Sequence, residues 1–308
     1  MVEPLKVSED VKQALTRGCP VVAVESVVIA HGLPGGKGSE AAQKVCGVVR
    51  ERGVVPAVIG VVEGRVTVGL SDEEISVFAR GEGVLKASTR ELAGAVAKRL
   101  SAATTVSATV HIAMAAGIIV TVTGGMGGVH RDASSTFDIS SDLWQLANTP
   151  AVVVCAGVKT VLDVQATLEW LETHQVGVYA LGSDEFPAFY SAGSGCRVEK
   201  VDTIEEAAEI YKARIGLGLR GAMVLAVPVP KEHSLELEEP ISQAIEEARE
   251  QGITGSALTP WLLKRVQEMV GKKSVETNIA LLENNASAAA EMAAMLASDG
   301  ESRKIGFH

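Results

Sequence analysis

VVAVESVVIA, residues 21–30, is a run of apolar side chains broken only by Glu25 and Ser26. An unalternating stretch of this kind reads as a strand buried on both faces, the signature of a parallel sheet. IIVTVT (118–123), AVVVCAG (151–157), GVYALG (177–182) and GAMVLAVPVP (221–230) repeat that texture. Between these runs the apolar period lengthens toward that of a helix. SEAAQKVCGVVRERG (39–53) puts Ala42, Val45, Val48 and Val49 on one face behind Ser39 as a cap. TVLDVQATLEWLET (160–173) does the same with Val161, Val164, Leu168 and Leu171. Residues 101–116, 203–214, 240–251 and 275–298 also read as helices, and Thr259-Pro260 opens another. SDEEISVFARG (71–81) is a short helix ended by Gly81, and Ser88 and Glu91 have capping-box spacing. PAVIGVVEGRVTVGL (56–70) reads as two short strands around Glu63-Gly64. The alternation predicts an α/β fold: a mostly parallel central sheet with helices on both faces. One domain is expected over residues 1–308, with 299–308 as a frayed polar tail.

Composition narrows the function classes. The 308 residues carry 28 Lys+Arg against 38 Asp+Glu, a formal net charge of −10. That balance disfavours a protein built to grip nucleic acid or an anionic membrane, but leaves room for a small phosphorylated ligand. Hydrophobic residues make up 47% and charged residues 21%, so a large core is available and disorder is excluded. Residues 100–130 contain no Asp, Glu, Lys or Arg. Gly117 divides the stretch and four glycines end it, which favours a buried helix and strand over a membrane span. Cys19, Cys46, Cys155 and Cys196 show neither a CxxC pair nor regular spacing, so a reducing intracellular compartment is expected and structural zinc is not.

Ligands of open α/β sheets sit beyond the carboxyl ends of the strands, so the loops there carry the functional signal. Glu25 interrupts an apolar run. It reads either as a paired, sheet-end carboxylate or as an acid whose pKa is raised for proton transfer. GGMGGVHR (124–131) has more glycines than a turn needs and adds His130 and Arg131, which fits phosphate binding. LPGGKGSE (33–40) only superficially resembles a nucleotide-binding loop. Its glycine-to-lysine spacing is one residue short and Gly38 stands where a hydroxyl should hold magnesium, so a glycine-rich lid is the better reading. Lys86 and Lys159 both fall near strand ends, with Lys159 expected to open a helix. A lysine at a helix N-terminus beside a second cation should have a lowered pKa, as a Schiff-base nucleophile requires. Asp138 and Asp142 are four apart. On a helix starting at 137 they would share a face and could hold a hard divalent cation with water, or simply cap the helix.

Eight ordered segments give the chain a family resemblance. AVESVVIAHGLP (23–34), VGLSDEEI (68–75), LKASTREL (85–92), TGGMGGVHR (123–131), TFDISSDLWQLANTP (136–150), VCAGVKTVLDVQATLEWLET (154–173), DEFPAFY (184–190) and GSALTPWLL (255–263) together resemble the pseudouridine-5′-phosphate glycosidases, also called the indigoidine synthase A-like family. The resemblance implies reversible cleavage of the C–C glycosidic bond of pseudouridine 5′-phosphate to uracil and ribose 5-phosphate. It also implies a divalent metal such as manganese and a homotrimer. By position it makes Glu25 the proton donor and Lys159 the nucleophile. Lys86, Val106, Ser140, Ser141 and Asp142 become substrate contacts, Asp138 the metal ligand, and His130 a phosphate contact, with Asn278 or Asn285 completing the phosphate site. The chain departs from the family pattern at Val27, Val158, Ala192 and Ser256, where Thr, Ala, Arg and Lys are usual. None of these removes a group the chemistry needs.

A C–C bond lacks the heteroatom leaving group that paired carboxylates protonate in ordinary glycosidases. A ring-opened ribose bound to Lys159 supplies the missing electron sink, and Glu25 protonates the departing base. Two other readings stay open: a class I aldolase-like lyase on another sugar phosphate, and a non-catalytic binder of nucleotides or modified RNA. The family resemblance places the enzyme in the cytoplasm, or in a peroxisome if eukaryotic, with a separate kinase supplying pseudouridine 5′-phosphate.

Overall fold

A computed structural model describes residues 5–33, 36–253 and 258–297. Its strands are β1 (Leu5–Val7), β2 (Val21–Val24), β3 (Val55–Val62), β4 (Arg65–Val68), β5 (Val84–Ala87), β6 (Ser101–Thr104), β7 (Val120–Val122), β8 (Val129–His130), β9 (Val152–Cys155), β10 (Leu162–Asp163), β11 (Gly177–Leu181), β12 (Glu199–Val201) and β13 (Met223–Ala226). Its helices are α1 (Glu9–Thr16), α2 (Val27–His31), α3 (Lys37–Glu51), α4 (Asp72–Arg80), α5 (Thr89–Ala97), α6 (Val106–Ala115), α7 (Ala133–Thr136), α8 (Ser141–Ala147), α9 (Val164–Thr173), α10 (Ile204–Gly216), α11 (Glu238–Glu250), α12 (Leu258–Val270) and α13 (Lys272–Ala297).

The central sheet runs β3-β2-β7-β9-β13-β11-β12, with every neighbouring pair parallel. The Val-rich texture of β2, β9 and β13 follows from burial on both faces. Helices α3 and α13 lie against one face, and α1 and α6 against the other. The sheet does not stop at β3. Val55–Val58 pair in parallel with β2, whereas Ile59–Val62 pair antiparallel with β4, and Gly60 and Val61 with β6. β5 and β1 then close the two edges of this mixed extension. A second apolar cluster, centred on Ile59, Val61, Val68 and Ala102, fills the space behind it. No helix among the described residues is long and apolar enough to cross a membrane.

Several local expectations hold in detail. Ser71 with Glu74 and Ser88 with Glu91 form capping boxes, and Gly81 ends α4 in the left-handed conformation. Glu63 and Gly64, both with positive φ, turn β3 into β4.

Others do not hold. The run 21–30 is not one strand: β2 ends at Val24, and α2 begins at Val27. Ser26 explains the break, because its hydroxyl accepts the amide of Thr104 at 2.9 Å and pins the chain where it leaves the sheet. Residues 101–116 are not one helix. Ser101–Thr104 form β6, held between β5 and β3, and α6 starts only at Val106. Tertiary pairing outweighs the alanine-rich local preference there. The helix expected over 160–173 starts at Val164, capped by Asp163, which accepts the amide of Ala166 at 2.9 Å. Leu162 and Asp163 instead pair with β8. Lys159 therefore precedes the helix by five residues, and Lys86 lies inside β5 rather than beyond it. The expected tail 299–308 and the departure at Ser256 lie outside the described residues.

Candidate active site

β2, β7 and β9 are parallel neighbours, so the segments leaving their carboxyl ends meet. Glu25 follows β2, the glycine-rich loop follows β7, and Ala156–Lys159 follow β9. The last two segments are laced together. Ala156 donates to the Gly124 carbonyl at 2.9 Å, Met126 to Gly157 at 3.0 Å, and Lys159 to Met126 at 3.1 Å. From the other side α13 sends Asn285, whose Nδ2 donates to the carbonyls of Thr123 at 2.9 Å and Gly124 at 3.3 Å.

Two cavities open at this end of the sheet. One, of about 410 Å³, is lined by Glu25, Val27, Phe189, Tyr190 and Asn278 among others. The other, of about 610 Å³, is lined by Arg90, His130, Asp138, Ser140, Ser141 and Asp142 among others. Lys86 and Lys159 line both, and thus stand on the shared wall. The glycines of the loop after β7 are demanded by close approach. A side chain at Gly125 would meet the Phe189 ring at 2.4 Å, and one at Gly127 would meet Ser140 Oγ at 2.1 Å. None of these glycines has positive φ.

Glu25 is 2% exposed, and Thr123 Oγ1 donates to its Oε2 while Oε1 has no partner. Burial pushes its pKa up. The Lys159 charge, the Thr123 hydrogen bond and the Lys86 charge pull against that, and the Asp142 charge adds to it. The net direction is upward, the direction that an acid transferring a proton at this position needs. Lys86 keeps exposed surface within the cavity mouths, yet desolvation lowers its pKa, and the like charge of Lys159 adds to that. Asp142, Glu25 and Glu91 oppose the shift. The helix-dipole argument for Lys159 does not apply, since no helix starts there.

The Asp138 and Asp142 pair does not form a helical face. α8 begins at Ser141, with Ser140 as its cap, so Asp138 precedes it. Asp142 is 3% exposed and its two oxygens accept the amides of Ser107 at 2.8 Å and Gly127 at 2.9 Å. Its carboxylate is a strut tying α6, the glycine loop and α8 together. Ser141 Oγ lies 3.3 Å from Ser107 Oγ. Asp138 is partly exposed and faces His130 Nε2 at 3.7 Å. Among the described residues no group of three or more His, Cys, Asp or Glu is arranged to hold a metal. The donor set fits only a hard cation that keeps most of its water, held by the Asp138 carboxylate. Val106 has its side chain fully buried in the main core and lines neither cavity, so it can reach a ligand only through its main chain. Cys155, pushed up to about 12 by burial, is no nucleophile.

Sequence reasoning did not single out Thr123, Phe189, Tyr190, Lys264 or Gln267, all of which touch Glu25 or line its cavity. Their positions depend on contacts remote in sequence, although DEFPAFY and TGGMGGVHR, the segments of the first three, already carried the resemblance. Of the departures, Val27 lines the 410 Å³ cavity and Val158 is fully buried beside the glycine loop. Ala192 donates its amide to Ser234 Oγ at 3.1 Å. Gly32 and Leu33 line the 410 Å³ cavity, but Pro34 and Gly35 of the expected lid lie outside the described residues.

Known proteins share this sequence and fold. A pseudouridine-5′-phosphate glycosidase of Caldanaerobacter subterraneus subsp. tengcongensis is 47% identical over 296 residues, covering 95% of this chain and 96% of the relative. The enzyme of that name from Arabidopsis thaliana is 45% identical, covering 95% and 90%. The crystal structure of the prealnumycin C-glycosynthase AlnA in complex with ribulose 5-phosphate superposes with a TM-score of 0.90 at 36% identity, covering 97% and 98%. An indigoidine synthase A-like protein from Thermotoga maritima superposes at 0.87, with 37% identity and 95% and 96% coverage. The family model of indigoidine synthase A-like proteins matches residues 10–295, and this chain belongs to that family.

Proposed function

We propose that the chain is a pseudouridine-5′-phosphate glycosidase, converting pseudouridine 5′-phosphate reversibly to uracil and ribose 5-phosphate. One observation carries the reading: a buried Glu25, its pKa raised by desolvation, shares a cavity with two lysines that also face a second, polar cavity. The names of the relatives support the substrate, and the ribulose 5-phosphate bound to AlnA supports a sugar-phosphate pocket.

In this mechanism Lys159 Nζ bonds to C1′ as the C1′–O4′ bond of the ribose breaks. A proton lost from that nitrogen passes to O4′, which becomes the C4′ hydroxyl, and the nitrogen is left with a lone pair. Glu25 gives its proton to uracil C5. The C1′–C5 bond breaks as the lysine nitrogen lone pair forms a C=N bond, and uracil leaves. Water then hydrolyses the Schiff base to the aldehyde of ribose 5-phosphate and regenerates the amine. Lys86 offers a positive charge beside the reacting carbon, and Arg90 and His130 line the cavity suited to the phosphate. A manganese-like cation bound at Asp138 would supply charge neutralisation for substrate oxygens. We further read the protein as a homotrimer, as the family resemblance implies; Phe137, which lines the polar cavity, and Trp144, 83% and 65% exposed, are apolar surface that a subunit contact would cover. The four free thiols support a reducing, cytoplasmic setting, with a kinase acting on pseudouridine upstream.

The experiment is incubation with ribose 5-phosphate, uracil and manganese, followed by borohydride. A C-glycoside should form, and reduction should trap a sugar on the peptide bearing Lys159. Lys159→Ala should lose both adduct and turnover. An adduct on the Lys86 peptide would exchange the roles of the two lysines. Consumption of ribose 5-phosphate independent of uracil would point to an aldolase-type lyase instead.

A further inference from the structure

We propose that Thr123 is a positioning residue for the proton transfer: its hydroxyl holds Oε2 of Glu25, so that the proton given to the base leaves from Oε1. The inference rests on the glycosidase reading above and deepens it. The placement begins in the sheet. β2 and β7 pair in parallel with Val24 opposite Val122, so Glu25 and Thr123 are the next residues of the two strands. The Glu25 amide donates to the Val122 carbonyl at 3.2 Å and extends the ladder by one rung. Thr123 is held through its main chain on two further sides. Its amide donates to the Val154 carbonyl of β9 at 3.1 Å, and its carbonyl accepts Nδ2 of Asn285, on α13, at 2.9 Å. Thr123 is 1% exposed and Asn285 is fully buried, so water does not compete for these bonds.

The chemistry follows from which oxygen is occupied. Thr123 Oγ1 donates to Oε2, while Oε1 has no hydrogen-bond partner. A neutral carboxyl group accepts best at its carbonyl oxygen, so this donation selects Oε1 as the O–H. In the transfer the C5=C6 electron pair of the base takes the proton from Oε1, and the pair of the broken O–H bond stays on the carboxyl group. Cleavage of C1′–C5 then returns a pair to the ring. As the carboxylate forms, the bond from Thr123 becomes charge-assisted and about twice as strong. It therefore stabilises the transition state more than it stabilises the bound acid, which is the condition for raising kcat. Lys159, Lys86 and Asp142 act on Glu25 through their charges, whereas Thr123 acts through a directed hydrogen bond.

Thr123→Val keeps the branched shape and removes the hydroxyl. With pseudouridine 5′-phosphate as substrate, kcat should fall about tenfold while KM stays within about twofold, because the proton transfer is slowed and binding is not. The solvent deuterium isotope effect on kcat should rise. Ribose 5-phosphate forms its Schiff base without a nucleobase, so borohydride should trap it on Lys159 of the variant to the wild-type extent. Thr123→Ser restores a donor and should bring kcat back to within about threefold of wild type. A kcat of Thr123→Val within about twofold of wild type would overturn the inference. So would a Thr123→Ser enzyme as slow as Thr123→Val. A parallel loss of adduct and turnover in Thr123→Val would make the role purely structural and overturn it too. Failure of the wild-type enzyme to release uracil would instead defeat the glycosidase reading itself.

Discussion

Asp142→Asn separates a strut from a substrate contact. The two carboxylate oxygens accept the amides of Ser107 and Gly127 at 2.8 and 2.9 Å, with the residue 3% exposed. Asparagine keeps one acceptor and turns an NH2 group toward the other amide. The loss of one charge-assisted bond costs about 1.5–3 kcal/mol, and the stranded N–H adds about 1–3 kcal/mol. Together these give a destabilisation of about 2.5–6 kcal/mol. At about 2 °C per kcal/mol for a chain of this size, the unfolding midpoint should fall by about 5–12 °C. Differential scanning calorimetry of the ligand-free protein measures this, with a urea titration as a second reading. Asp142→Glu should not restore the midpoint, because the extra methylene pushes the carboxylate into the glycine loop. A ligand-free midpoint within about 1 °C of wild type, with only a weaker KM, would show that Asp142 serves the substrate and supports nothing.

Glu25→Gln should abolish turnover yet stabilise the protein in a pH-dependent way. The folded-state pKa is raised above the ordinary 4.5, so the acid costs nothing below that pH and its burial penalty grows as pH rises toward the folded value. The stability gained by the glutamine variant should therefore be near zero at about pH 4, then increase and level off; a gain independent of pH would contradict the raised pKa. Asp138→Ala should lower activity and blunt its dependence on added manganese, and exhaustive chelation should inhibit the wild-type enzyme; full activity after chelation would remove the cation from the reaction.

Much of this was readable from the chain alone, for reasons that are local. The capping boxes at Ser71 and Ser88, the Gly81 stop and the Glu63-Gly64 turn are decided within a few residues. The odd carboxyl in an apolar run, Glu25, and the two lysines near strand ends converge as their chemistry suggested. What escaped depends on distant partners. Ser101–Thr104 become a strand only because β3 and β5 flank them. The structural role of Asp142, which lines the polar cavity, is hidden in sequence because the amides it accepts come from residues 107 and 127. The glycines after β7 read as an anion cradle, yet Phe189 and Ser140 are what forbid side chains there. Phe189 and Tyr190 lie outside every apolar periodicity, so no pattern in the chain marks them as walls of a cavity.

β3 belongs to both the parallel sheet and the mixed extension, and that fixes how the molecule can breathe. The amides of Ala57–Gly60 sit where one strand passes from one pairing partner to the next. They cannot reach solvent by fraying of either sheet alone. Their hydrogen exchange should follow the unfolding of the whole chain, whereas amides at the edge strands β1 and β12 exchange through smaller openings. Glu25 follows a strand beside β3 on one side, and Lys86 rides on a strand joined to β3 through β6 on the other. The backbones that carry the acid and the cation are therefore joined through the strand expected to exchange most slowly, and substrate entry should be accommodated by the surrounding loops.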